Sequence, residues 1–114
     1  MRRFRVRETH TRVRRLAVVG ATPGTRIELR CRGRGCFRGV RRFNAPRGAE
    51  SRNIRRPLRR RVLRAGARLE VRILDADSIG KVQRFTMRSR SRLPASQRRC
   101  LVPGQRRPGR CPRL

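Results

Sequence analysis

The residues with the clearest chemical potential in this chain are its four cysteines, Cys31, Cys36, Cys100 and Cys111. Four cysteines allow three disulfide pairings, and the pairing of sequence neighbours is the simplest of them. Disulfides that close such short loops contribute roughly 2–3 kcal/mol each in the loop-entropy model. A structural zinc site is the alternative, but zinc favours cysteine pairs separated by about two to four residues. Only Cys31 and Cys36 fit that spacing, at its upper limit, so disulfides are the favoured prediction.

Side chains suited to catalysis are scarce. His10 is the only histidine, and nothing near it in the sequence would orient it as an acid or base. Glu28 and Glu70 stand between arginines, so pairing with arginine across a sheet is a simpler interpretation than glycosidase carboxylates. Asp75 and Asp77 suit turn stabilisation, because calcium needs about six or more oxygen ligands. Nucleotide-binding, nucleophile-elbow and zinc-protease motifs are absent. The sequence predicts no enzyme, no metal site and no cofactor.

Positive charge dominates the composition. The 114 residues carry a net charge of +29, and Lys81 is the only lysine among 35 basic residues. Binding to polyanions is one cause of such a charge, and the codon usage of a GC-rich genome is another. Adhesion to nucleic acid at low salt follows in either case. A solvated surface is the ordinary role of a charge run. The candidate polyanion-binding residues are Arg32, Arg34, Arg55, Arg56, Arg59, Arg60 and Arg61.

The strongest structural signal is the stretch Gly66–Arg88. Its first half alternates charged residues with Leu69, Val71 and Ile73, which predicts a strand with one buried face. A turn at Asp75–Gly80 then allows Lys81–Arg88 to return as a partner strand. A mismatch at Lys81 and Gln83 indicates a bulge or an exposed strand end. On the return strand, Ile79, Phe85 and Met87 are predicted to share a face, with Val82 on the other.

A second strand follows the same rule, because Gly24–Arg30 matches Gly66–Arg72 in chemical type, position for position. In Val13–Val19, alternation predicts Leu16 and Val18 on one face and Val13, Ala17 and Val19 on the other. Apolar residues on both faces are typical of a central strand. A short edge strand is predicted within Arg2–Arg14, and another strand is predicted at Val40–Phe43. Further features are a Pro-Gly turn at Ala21–Gly24 and a short helix or turn on which Ile54, Leu58 and Val62 share a face.

These elements predict one domain of all-β class, a small Ig-like β-sandwich with one short helix in the crossover. Residues 1–12 would form a charged extension and residues 13–88 the sandwich. Residues 89–114 would form an irregular Pro/Arg-rich tail closed by Cys100 and Cys111. No stretch approaches the roughly 20 apolar residues of a membrane span. The basic start has no apolar segment after it, so no signal peptide is predicted in this chain.

Four blocks of the sequence, taken in order, resemble a functionally uncharacterised domain that recurs in secreted proteins of high-GC actinobacteria. The blocks are LAVVGATPGTRIELRCRGRGC, RRPLRRRVLRAGARLEVRI, SIGKVQRFTMR and RCLVPGQRRPGRC. The resemblance covers about Val13 to Cys111. That domain often stands at the C-terminus, behind a signal peptide and other extracellular modules, and it has proline where this chain has Phe37. The resemblance implies a β-sandwich, an extracytoplasmic location and oxidised cysteines.

Two functions follow as expectations. The first is a non-enzymatic module of a secreted or envelope-associated protein, structural or adhesive, which contacts anionic cell-wall polymers through its arginines. The second is a small basic cytoplasmic protein that binds nucleic acid, with zinc or free thiols.

Overall fold

The computed structural model describes residues 2–6, 10–19, 25–44, 51–74, 79–89 and 92–111. Within these ranges the chain forms nine strands and one 3-10 turn, which confirms the all-β prediction. The strands are β1 Arg2–Val6, β2 His10–Val19, β3 Arg26–Arg32, β4 Arg41–Asn44, β5 Ser51–Asn53, β6 Leu63–Arg64, β7 Arg68–Leu74, β8 Gly80–Thr86 and β9 Ala95–Leu101.

The strands form two antiparallel sheets. The larger sheet has five strands in the order β4-β3-β7-β8-β9. In the smaller sheet, β1 pairs along one edge of β2, while β5 and β6 pair with β2 on the other. The predicted central position of the strand at 13–19 is therefore confirmed, as is the N-terminal edge strand.

The hydrophobic core lies between the two sheets, as the sandwich prediction requires. Phe4 of the small sheet and Phe85 of the large sheet meet with ring centroids 5.5 Å apart. Phe37, which stands where the resembled domain has proline, is buried in the same core. The other buried members are Val13, Leu16, Val18, Ile27, Leu29, Ile54, Leu58, Leu63, Ala67, Leu69, Val71 and Met87.

A β-bulge explains the mixed pattern of β2. The pairing with β1 shifts between Arg3, opposite Arg15, and Phe4, opposite Val13, so that Arg14 is the extra residue. An extra residue reverses the alternation of side chains between the two faces of a strand. Val13 and Leu16 are three positions apart, yet both are buried in the core. The faces read from strict alternation are corrected accordingly.

The crossover between β5 and β6 contains a single 3-10 turn, Arg56–Leu58, with Pro57 in its first turn. Proline is suited to this place because its fixed φ fits the start of a helix and its missing N–H is not needed there. Ile54 and Leu58 are buried as predicted, but the third buried residue is Leu63, not Val62. The prediction that Val62 shares a face with Ile54 and Leu58 was wrong, because the chain leaves the 3-10 turn at Arg59 and extends into β6.

The hairpin predicted at 66–88 is confirmed as β7 and β8. Its register runs without interruption from Arg68 opposite Thr86 to Ile73 opposite Lys81, so the mismatch reflects an exposed strand end and not a bulge. Phe85 and Met87 enter the core, whereas Ile79 is 41% exposed. The predicted turn at 21–24, residues 75–78 of the predicted turn at 75–80, and the side chain of residue 10 lie outside the described residues.

Both ends of the chain contribute to the sheets. Residues 2–6 of the predicted extension form β1, and residues 95–101 of the predicted tail form β9, an edge strand of the large sheet. The irregular part of the tail begins after Leu101. It returns to β9 through two backbone hydrogen bonds between Cys100 and Gly109, beside the disulfide to Cys111.

The disulfides join sequence neighbours, Cys31 to Cys36 and Cys100 to Cys111. The simplest of the three pairings is thereby confirmed. All four sulfur atoms are bonded to one another in pairs, so the structure does not contain the alternative cysteine zinc site.

Removal of the second disulfide should cost more stability than removal of the first. The sequence separations are 11 and 5 residues, so the loop-entropy model gives losses of about 3 kcal/mol for Cys100→Ser/Cys111→Ser and about 2 kcal/mol for Cys31→Ser/Cys36→Ser. Urea denaturation without reductant measures both, after intact mass has shown that wild type lacks four hydrogens. Unchanged stability of either double variant would contradict the prediction.

Candidate anion-binding groove

The two similar strands of the sequence lie next to each other in the large sheet. β3 pairs antiparallel with β7, and Leu29 lies opposite Val71 at the centre of the match. Glu28 consequently faces Arg72, and Arg30 faces Glu70. Because side chains alternate between faces, these charged residues lie on the outer face of the sheet, away from the core.

Each glutamate uses both carboxylate oxygens to bind arginines. Glu28 accepts from Arg30 at 2.9 Å and contacts Arg42 at 3.5 Å. Glu70 contacts Arg72 at 2.8 Å and Arg84 at 3.6 Å. Arg42 and Arg84 lie directly opposite the glutamates on neighbouring strands, so the predicted cross-strand pairing is confirmed. The shorter contact in each case is to the arginine two residues further along the same strand.

Arg72 is the most buried arginine of these ion pairs, with a side chain only 9% exposed. Its Nε donates to Glu70, and its Nη1 donates to the carbonyl oxygen of Arg106 at 3.4 Å. The second bond connects the sheet to the loop that the Cys100–Cys111 disulfide closes. Val82 is 1% exposed on the same outer face. That loop therefore folds back over the sheet.

A groove of about 630 Å³ lies on this outer face. Its floor comes from β3, β7 and β8, and its walls come from Gly39–Val40 and from Arg106–Pro108. Within the described part of the chain, seven arginines and one glutamate line it, and their formal charges sum to +6. These residues are Arg30, Arg32, Arg68, Arg72, Arg84, Arg106, Arg107 and Glu70.

A disulfide stands beside each wall of the groove. Gly39–Val40 follows Cys36 by three residues, and Arg106–Pro108 lies inside the loop between Cys100 and Cys111. Both walls are thus anchored covalently close to the sheet that forms the floor. A fixed geometry lowers the entropic cost of holding a ligand between arginine side chains.

The seven arginines of the groove fall into two groups. Arg30, Arg72 and Arg84 are engaged by the two glutamates. The side chains of the other four are exposed, and none makes a hydrogen bond or ion pair with any described residue. These four are Arg32, Arg68, Arg106 and Arg107.

The arginines predicted to bind polyanions occupy several environments. Arg32 lines the groove. Arg55 donates to the carbonyl oxygen of Val13 at 2.9 Å, and Arg61 donates to that of Cys36 at 3.2 Å, so both also stabilise the fold. The remaining members of the set are exposed and lie outside the groove: Arg34, Arg56, Arg59 and Arg60.

Sequence reasoning missed most of the groove. The alternation of β7 placed Arg68 on the outward face and could have indicated it. Arg106 and Arg107 carried no such signal, because only the folded position of the disulfide loop brings them over the sheet. Arg84 could have been found only from the register of β7 with β8.

The groove offers little for other chemistry. In the described part of the chain, no three His, Cys, Asp or Glu side chains come together as metal ligands would. Among the same residues, no helix has the length and apolar character needed to cross a bilayer. The chemical property that the groove shows is its excess of arginine side chains over carboxylates among the described residues.

Comparison with known proteins gives no match: no family model, no curated protein and no solved structure is significantly similar to this chain. The fold and the groove define a small, two-sheet β domain with two disulfides and a basic cleft.

Proposed function

We propose that this protein is a non-enzymatic, extracytoplasmic β module that binds anionic polymers, with an adhesive or structural role at the cell envelope. The observation that carries the proposal is the groove, where seven arginines meet one carboxylate that is already occupied. An uncompensated cluster of guanidinium groups attracts phosphate, sulfate and carboxylate groups.

The disulfides support the location. Two closed pairs suggest an oxidising setting, because cytosolic thiols are kept reduced. Secretion, an Ig-like relationship and association with other modules of a longer chain follow from the resemblance to the actinobacterial domain. They are parts of the same proposal.

A binding role suits the glutamates better than catalysis. Both oxygens of Glu28 and both oxygens of Glu70 contact arginines. A carboxylate whose oxygens are both engaged by arginines leaves no free oxygen to contact a substrate as an acid or a base would.

A second candidate function, nucleic-acid binding, is favoured by the exposed arginines outside the groove. Arg34, Arg56, Arg59 and Arg60 face solvent and could contact phosphates on the outside of a duplex. Such contacts position a protein on DNA without reading its sequence.

Oxidised wild type is expected to be retained on poly(glycerol phosphate) at about 0.15 M salt. Its retention on duplex DNA should fall steeply with salt, as nonspecific phosphate contacts do. Arg56→Gln/Arg59→Gln should weaken DNA binding and leave polymer binding unchanged. Loss of polymer retention at that salt in wild type would refute the proposed function. Salt-resistant, structure-selective DNA binding would favour the second candidate.

A further inference from the structure

We infer that the groove contains a subsite for a tetrahedral oxyanion, a phosphate or sulfate group carried on a flexible single chain. Arg32 and Arg68 form the floor of this subsite. Arg106 and Arg107, from the groove wall that belongs to the Cys100–Cys111 loop, form its roof. The inference rests on the proposed function and names the chemical group that the groove selects and the residues that hold it.

The floor of the subsite contains an electrostatic repulsion. Arg32 lies directly opposite Arg68 in the β3–β7 pair, and like charges in that position repel each other. Elsewhere on the same face, Glu28 and Glu70 separate the arginines. Among the residues that the structure describes, Glu70 is the only carboxylate lining the groove, and its two oxygens already bind other arginines. An anion between Arg32 and Arg68 would remove the repulsion.

The arrangement of the arginines favours one shape of anion. Arginine binds oxyanions through a planar fork of N–H groups. Here such forks come from the sheet below and from the disulfide loop above. A planar carboxylate presents its two oxygens in one plane, whereas phosphate and sulfate present oxygens in several directions. Donors on both floor and roof therefore favour a tetrahedral group.

The size and lining of the groove limit the kind of molecule that can carry the anion. The groove has a volume within the range of about 300–1,000 Å³ that is typical of small-ligand sites, and its lining includes no aromatic residue. Bases of single-stranded nucleic acid would find no stacking partner there. A duplex is too wide to enter and would reach only the rim. A narrow, flexible chain of phosphate or sulfate groups fits these limits.

The test uses intact, oxidised protein and inorganic phosphate at constant ionic strength set with chloride. Arg68→Gln should raise the thermal midpoint in chloride, because a repulsion is removed, and should weaken phosphate binding about tenfold, because a charge-assisted bond is lost. The roof variant Arg106→Gln/Arg107→Gln should weaken phosphate binding to a similar degree. The matched control is Arg98→Gln, an exposed arginine of β9 outside the groove. It should bind phosphate as wild type does.

Three results would overturn the inference. The first is that phosphate and sulfate stabilise wild type no more than chloride does. The second is that Arg98→Gln weakens phosphate binding as much as Arg68→Gln does. The third is that duplex DNA displaces phosphate as effectively as poly(glycerol phosphate) does. In each case, retention of wild type on the polymer would leave the proposed function intact, with diffuse charge as its cause. Stronger binding of sulfate than of phosphate would support the subsite and identify the source of the group as a sulfated chain.

Discussion

Glu70→Gln is expected to lower the free energy of unfolding by about 4 kcal/mol. The side chain of Arg72 is 9% exposed and that of Arg84 is 20% exposed, so both lose their counter-ion where water compensates poorly. Removing one partner of a buried ion pair typically costs about 3–5 kcal/mol, because the other charge stays buried and unpaired. Urea denaturation of the oxidised protein measures the loss.

Glu28→Gln is the matched control, since the two glutamates stand at equivalent places in the two paired strands. The arginines of Glu28 are 40% and 64% exposed, so solvent can hydrate them, and the expected loss is about 1 kcal/mol. The double variant Glu70→Gln/Arg72→Met should recover part of the loss, because it removes the stranded charge. Equal losses from the two single variants would refute the argument from burial.

Gly35→Ala is expected to destabilise the protein by about 4 kcal/mol or to detach the Cys31–Cys36 loop. A Cβ on Gly35 would stand 1.9 Å from the carbonyl oxygen of Val62, and the residue has φ +94°. Positive φ costs an L-residue about 1–2 kcal/mol, and a forced backbone shift adds about 1–3 kcal/mol. Thermal denaturation and hydrogen exchange at Arg64, which donates to the carbonyl of Arg34 in this loop, measure the effect.

Gly39→Ala separates the two causes. Gly39 has φ +75°, but a Cβ there would meet nothing within 4 Å. The variant should therefore lose only the conformational part, about 1–2 kcal/mol. If Gly39→Ala loses as much stability as Gly35→Ala, then the positive φ, and not contact with Val62, accounts for the loss at Gly35.

The sequence was sufficient to predict elements whose apolar residues alternate without interruption. The strand containing Leu69, Val71 and Ile73 was read correctly because one face is buried and the other is charged. The β2 faces were misread because the bulge at Arg14 reverses the alternation, and no single residue type signals a bulge. The strand at 95–101 was missed because its side chains are largely exposed at a sheet edge, which leaves no buried face to detect.

The groove was less accessible to prediction than the fold. Arg32 was among the candidate polyanion-binding residues, whereas its partner Arg68 was read as part of the polar face of a strand. The two meet only through the register of β3 with β7. The roof depends on the path of the loop closed by Cys100 and Cys111, and local sequence does not specify that path.

The charges on β3 and β7 also help to select how these two strands align during folding. A slip of two residues keeps the apolar side chains on the core face, so hydrophobic burial alone does not exclude it. In one direction the slip would bring Glu28 opposite Glu70 and Arg30 opposite Arg68. In the other direction it would bring Arg30 opposite Arg72. Both misalignments set like charges against each other and leave at least one glutamate with no arginine opposite it. The native alignment has one like-charged pair, Arg32 opposite Arg68, but it sets each glutamate against an arginine.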